Sequence, residues 1–337
     1  MVWRAMSDPA PTDPARPASP PAAAPNALLH PADLRATLAL TPVLERPGCY
    51  RAQLTRAWSF LFPSGGVLMS LALQAMRDTL AQRRPAGLPT LVPVSATATF
   101  CSAIAEGPLD LEVQVLRSGR TATQLRAHIR PLGAAAAPGD VGVEVAAVFG
   151  AAEGPALAQP ACYLPRPPIF PAPADCKAYD AVAQRVTPPP FYRNLEIRMV
   201  HGDVWWTADW PPGDPHTARY FRYLVPPAAA DGTLDPLALP PIADTMASAV
   251  HQVLGRTNPP LIFPSLDLTV HFVNPIATPA DAFLLVDANA HALWPGVASA
   301  SATVWDDAGR LLCFATQTMS VREARAPRPN PTAPPTQ

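Results

Sequence analysis

Two polar side chains stand where their neighbours in sequence are apolar. In the C-terminal run Leu311, Cys313, Ala315, Met319 and Val321 share one face of a strand, and Gln317 falls among them. An amide on such a face must find hydrogen-bond partners or cost stability, so it is either a satisfied structural group or part of a site. Asp244 is the second. It opens a run in which Met246, Ala249, Val250, Val253 and Leu254 recur at the spacing of a buried helical stripe. A carboxylate there is either a capping, dipole-complementing group or a reactive one. Ser265 follows Pro264 at the start of a strand, where a small hydroxyl suits a turn, and alternation sets it opposite Leu266.

The other candidates are weaker. Asp267 and His271 share a strand face, but no G-x-S-x-G elbow accompanies them, so a solvent or subunit-interface position fits better than a Ser-His-Asp triad. Ser64 reads as a helix cap. His128, His201, His216 and His291 fall in unrelated strands or loops, and Cys49, Cys101, Cys162, Cys176 and Cys313 show no ligand spacing, so neither a metal nor a cofactor is expected.

The elements that must position these groups occur twice. Pro241 to Phe272 reads as helix, proline-rich turn and strand, with Leu266, Leu268, Val270 and Phe272 on one strand face. Ser64 to Gln82 reads as an earlier helix, apolar nearly all round, and Val94, Ala96, Ala98 and Phe100 repeat the later alternation. A duplicated unit is implied. Strands are expected at Cys49 to Leu54, Ala57 to Phe62, 109–117, 120–130 and 143–149, and again at 195–200, Asp203 to Ala208, 218–224, 282–288, 296–305 and 310–322. Registered in this way, Ala147 of the first repeat lies nearest to Gln317 of the second. Only one repeat carries the polar group, as expected if one of two duplicated sites kept its chemistry.

Length and composition set outer limits. A chain of 337 residues holds two domains or one duplicated domain. The formal net charge of −1 gives no electrostatic pull toward nucleic acid or an anionic membrane. No apolar run approaches the roughly 18 residues of a membrane span. Scattered cysteines suggest a reduced, cytoplasmic setting with buried thiols. The expected organisation is a disordered Pro/Ala-rich arm (1–45), a first unit (46–150), a proline-rich linker (151–190), a second unit (191–322) and a disordered tail (323–337).

The segments SGGVLMSLAL (Ser64 to Leu73), LEVQVLRSGRTAT (Leu111 to Thr123), PPIADTM (Pro240 to Met246), SLDLTVHFVNP (Ser265 to Pro275) and DDAGRLLCFATQTMSVR (Asp306 to Arg322) resemble, in order, the acyl-CoA thioesterase II family. The likeness runs from about Cys49 to Arg322. It implies an α+β fold, a tandem (double) hotdog in which two long helices are each wrapped by a curved antiparallel sheet. It also implies hydrolysis of a fatty acyl-CoA to free acid and CoA. In the family an aspartate at the second helix, a hydroxyl at the start of the next strand and a glutamine in the last strand hold the attacking water, positions matched by Asp244, Ser265 and Gln317. Homo-oligomerisation is expected, since hotdog sheets expose edges that need covering. The alternative is a catalytically silent hotdog protein used in acyl-CoA binding or assembly. A hotdog dehydratase wants an Asp/His pair near a hotdog helix, and no helix pairs the two at close spacing.

Overall fold

The computed structural model describes residues 31–133, 142–152, 168–179, 187–204, 206, 211–257, 259–273 and 278–324. Most of the expected arm, the end of the chain after 324 and much of the expected linker lie outside the described residues. The first half contributes β1 (Cys49–Leu54), α1 (Gly65–Arg83), β2 (Leu91–Phe100), β3 (Gly107–Ser118), β4 (Ala122–Pro131) and β5 (Val143–Ala151). The second contributes β6 (Leu195–His201), β7 (His216–Tyr223), α2 (Leu239–Ala243), α3 (Ala247–Leu254), β8 (Asp267–Phe272), β9 (Leu284–Trp294), β10 (Val297–Asp306) and β11 (Leu311–Ser320).

Among the described residues these strands form one antiparallel sheet in the order β1-β3-β4-β5-β2-β8-β11-β10-β9-β7-β6, with two-residue strands at Thr41–Pro42 and Lys177–Ala178 on its edges. Read outward from the centre the two halves match: β2 with β8, β5 with β11, β4 with β10, β3 with β9 and β1 with β7. They join where β2 pairs with β8. There Thr97 lies opposite Thr269, with their hydroxyl oxygens 3.0 Å apart. Aligning Val94 with Leu266, as the alternation suggests, makes those two threonines equivalent.

Helix α1 is apolar nearly all round because it is covered nearly all round. The sheet of its own half takes one side and α2 takes another. Val67, Met69, Leu71, Leu73 and Met76 have 0% exposure. Each such side chain is worth about 1.5–3 kcal/mol of burial. Ser64 caps the helix, its Oγ accepting from Val67 N–H at 3.4 Å.

Several expectations need correction. The second helical stretch is not one long helix opened by Asp244. It begins at Leu239, with Pro240 and Pro241 in the first turn where a missing N–H is tolerated, and a 3₁₀ turn, Asp244–Met246, separates α2 from α3. Ala57 to Phe62 is not a strand. Arg56–Trp58 forms a 3₁₀ turn that buries Trp58 against Phe191, and Ser59 then bridges Pro63. Asp203, Val204 and Trp206 are irregular too, while Trp205 lies outside the described residues. Gly202 turns the chain at φ +80°, and Asp203 N–H goes to the Gln252 side chain instead of a neighbouring strand. Val94 is exposed because the β2/β5 register shifts between Pro93 and Ser95. Thiols are not uniformly buried: Cys176 and Cys313 are, Cys49 is half-buried and Cys101 is exposed. Among the described residues no helix is long and apolar enough to cross a membrane.

Candidate active site

The start of α1 and the break between α2 and α3 meet at one point. Gly66 makes this approach possible: a Cβ there would stand 2.3 Å from the Pro240 carbonyl oxygen and 2.7 Å from Pro241 Cα. The break then aims the Asp244 carboxylate at the N-terminus of α1. Its Oδ2 accepts from Gly66 N–H at 3.0 Å and from Ser64 Oγ at 2.9 Å. Asp244 therefore does complement a helix N-terminus, but that of the other half, where free N–H groups and the helix dipole favour a negative charge.

Its remaining oxygen faces β11. Gln317, 2% exposed, donates from Nε2 to Asp244 Oδ1 at 2.7 Å and also to Ser265 Oγ at 2.7 Å. The Gln317 Oε1 is buried and finds no hydrogen-bond partner. Strand parity alone would turn Ser265 away. The pairing, however, starts irregularly: Ser265 makes only an isolated bridge to Met319, and Asp267 Oδ1 takes Thr318 N–H at 2.8 Å in place of a ladder bond. Asp267 is thus a structural acceptor, and Ser265 reaches Gln317. The structure brings Asp244, Gln317 and Ser265 within hydrogen-bond distance of one another through the Gln317 amide.

Burial raises the pKa of Asp244, which is 5% exposed, against the downward pull of Gly66 N–H, the Ser64 hydroxyl and the Gln317 amide. A carboxylate so placed is more basic than an exposed one. Beside it opens a cleft of about 400 Å³, walled by Phe60, Phe62, Leu68, Phe100, Tyr192 and Phe263, with Asp244, Ser265 and Gln317 also in its lining. An apolar cleft with a few convergent polar groups is the usual form of a small-molecule site.

The sequence assigned Ser64 only a capping role and missed Gly66 altogether; the Ser-Gly-Gly at the helix start was the available signal. Three of the histidines have partners away from the cleft. His128 pairs with Glu144 at 3.2 Å and His216 with Asp287 at 2.5 Å, while His271 stacks on Phe314. Among the described residues no cluster of His, Cys, Asp or Glu is arranged to hold a metal ion.

Residues 54–150 match the family model of the acyl-CoA thioesterase N-terminal domain, and residues 173–321 that of the acyl-CoA thioesterase C-terminal domain. Among solved structures, a hot-dog-fold protein of unknown function from Alicyclobacillus acidocaldarius is 22% identical with a TM-score of 0.66, covering 87% of this chain and 98% of its own. The acyl-CoA thioesterase II TesB2 of Mycobacterium marinum is 21% identical with a TM-score of 0.63, covering 87% and 99%. The tesB protein of Mycobacterium avium subs paratuberculosis is 22% identical with a TM-score of 0.61, covering 86% and 98%. Comparison with curated proteins finds no match. With hotdog-fold neighbours and both thioesterase domains matched, the chain belongs to the acyl-CoA thioesterase family and is a thioester hydrolase.

Proposed function

We propose that the chain is a tandem hotdog that hydrolyses a fatty acyl-CoA to the free acid and CoA with a water held by Asp244, Gln317 and Ser265. The observation that carries this is the buried, unpartnered Gln317 Oε1 beside the Asp244 carboxylate. Gln317 Nε2 is spent on Asp244 and Ser265, so the amide orientation is fixed and its oxygen is left as an acceptor for a water proton.

In this mechanism Asp244 takes a proton from that water as its oxygen attacks the thioester carbonyl carbon. The tetrahedral intermediate collapses with cleavage of the C–S bond. The proton held on Asp244 passes to the departing CoA sulfur, so the carboxylate is regenerated. The raised pKa of Asp244 suits both halves of the cycle, giving a stronger base first and a usable acid afterwards. Ser265, bonded to Gln317, fixes the amide and presents a hydroxyl to the cleft. The apolar lining suits an acyl chain.

The test is thiol release from a series of acyl-CoA substrates. Gln317→Ala should lower kcat about 100-fold, the scale of losing one aligned polar group at a reacting centre, while a thermal melt shows the fold retained. Undiminished turnover in the folded variant would refute the assignment. An acyl-binding protein without catalysis would release no thiol from any member of the series.

A further inference from the structure

Beyond Gln317 the chain that carries it runs on along the cleft. Ser265 bridges Met319, Ser320 N–H donates to the Pro264 carbonyl at 2.9 Å, and Leu261–Ile262 pairs with Arg322–Glu323, all in one register. The segment is therefore extended from Gln317 to Arg322, at about 3.3 Å per residue. The ladder is interrupted at Thr318, whose N–H goes to the Asp267 carboxylate. Gln317, Ser320 and Arg322 all border the cleft, although strict alternation would part the first from the other two.

Each of the three leaves a polar group unused. Gln317 Oε1 is buried without a partner, as already noted. Ser320 is 8% exposed, and its Oγ is likewise buried without a hydrogen bond. Arg322 is exposed, and among the described residues its guanidinium makes neither a hydrogen bond nor an ion pair. It is also the only lysine or arginine among the described residues that border the cleft. A buried hydroxyl left unpaired is costly unless a ligand completes it. In the first half Ala147, Gly150 and Ala152 take the corresponding places, and none can bond through a side chain.

The spacing fits one part of an acyl-CoA. Ser320 and Arg322 lie about 10 Å and about 16 Å along the strand from Gln317. In an extended pantetheine arm the second amide is roughly 9 Å from the sulfur and the diphosphate roughly 15 Å, the reach of four to five residues of extended chain. The order of the groups matches as well, a neutral hydroxyl for an amide and then a cation for phosphate.

We infer that the end of β11 is the track for the CoA arm. With the thioester at Asp244 and Gln317, the Ser320 hydroxyl bonds the pantetheine amide farther from the sulfur, and Arg322 pairs with the diphosphate. This rests on the hydrolase reading above and assigns the residues that select CoA as the leaving group. The hydrolytic step itself is unchanged.

The experiment compares thiol release from three thioesters of one acyl group: acyl-CoA, acyl-pantetheine, which lacks the phosphates, and acyl-N-acetylcysteamine, which also lacks the second amide. Wild type should favour acyl-CoA over acyl-pantetheine about tenfold or more in kcat/KM, mainly through KM, and the preference should weaken as salt is raised. Arg322→Met should cut that ratio about tenfold. Ser320→Ala should cut the ratio of acyl-pantetheine to acyl-N-acetylcysteamine about three- to tenfold. Melts of both variants check that the fold is kept. Either ratio unmoved in its folded variant overturns the inference, and continued hydrolysis of acyl-CoA then leaves the hydrolase reading intact. Should a variant not fold, the wild-type ratios decide, and equal kcat/KM for all three thioesters overturns the inference. Absence of thiol release from any of them removes the hydrolase reading first, and this one with it.

Discussion

Replacing Asp244 by Asn should move activity and stability in opposite directions. In the native site Oδ2 accepts from Ser64 Oγ and Gly66 N–H, and Oδ1 accepts from Gln317 Nε2. Asparagine keeps the first two bonds when its oxygen takes the place of Oδ2. Its Nδ2 then confronts Gln317 Nε2, a conflict that reversal of the Gln317 amide removes. The reversed amide offers Oε1 to Asn and to the Ser265 hydroxyl, so those contacts are kept, while Nε2 takes the buried position where Oε1 had no partner. What disappears is the base, and turnover should fall about 10²–10⁴-fold. Stability follows from the raised pKa of Asp244. The folded carboxyl holds its proton more tightly than the unfolded one, so its contribution is fully present below the unfolded-state pKa and is lost as pH rises through the folded value. Above that window the ionised carboxylate costs about 1.4 kcal/mol for each unit of the rise. Asparagine has no such cost. At neutral pH the variant should melt higher, by about 2–4 °C per kcal/mol for a chain of about 150–250 residues and somewhat less here, and the advantage should shrink as the pH falls through the window and be gone below it. Thiol-release assays and melts from about pH 4 to 8 read both effects. A folded variant with undiminished turnover, or one that melts lower than wild type at neutral pH, would refute the reasoning.

Two further substitutions test the supports of the site. Gly66→Ala should destabilise by about 1–3 kcal/mol or more, because its Cβ meets the Pro240 carbonyl at 2.3 Å, backbone that cannot swing aside; chemical denaturation measures this. Its kcat should fall too, since Gly66 N–H moves off Asp244. Arg77→Met removes a two-point contact to Asp235 at 2.9 and 3.1 Å that ties α1 to the chain leading into α2. Arg77 is 40% exposed, which limits the loss to about 1–2 kcal/mol by the same measurement, with kcat near wild type.

The sequence made the fold legible wherever periodicity was long and one-sided. Cys49–Leu54 was bounded correctly, and the interior of β11 was readable from parity alone, including the one amide in it. Failures came where a single local interaction overrode the pattern. Burial of Trp58 replaced an expected strand with a 3₁₀ turn, and the Gln252 side chain captured Asp203 N–H and ended another. Ser265 was set on the face opposite Leu266 by alternation, yet it accepts from Gln317 Nε2 where the strand starts irregularly and Thr318 N–H donates to the Asp267 carboxylate. The setting of Asp244 was not legible, because its partners Ser64 and Gly66 are about 180 residues away in sequence. No local pattern encodes a contact between halves.

The same contact bears on why, among the described residues, the arrangement of carboxylate, amide and helix N–H occurs in one half and not in the other. Gly66 lies against Pro240, so exchanging the halves exchanges these two residues. Counting outward, Ser70 then answers Asp244, Ala238 answers Ser64, and Ala147 answers Gln317. Pro240 has no N–H to offer where Gly66 supplies one, and Ala238 has no hydroxyl. The Ser70 hydroxyl instead faces two acceptors, the carbonyls of Gly66 at 2.9 Å and Leu237 at 2.8 Å. Rebuilding the missing pair should therefore fail. Ser70→Asp puts a carboxylate against those two carbonyls at a position with 0% exposure, and should cost about 3–5 kcal/mol, the scale of an uncompensated buried charge. The loss should ease in acid, where the new group is protonated in both states. Adding Ala147→Gln supplies the amide but no N–H at Pro240, so the double variant made in an Asp244→Asn background should release no thiol above that background. Recovered hydrolysis there would mean that the donors at the start of α1 are dispensable, and that the carboxylate and amide alone suffice.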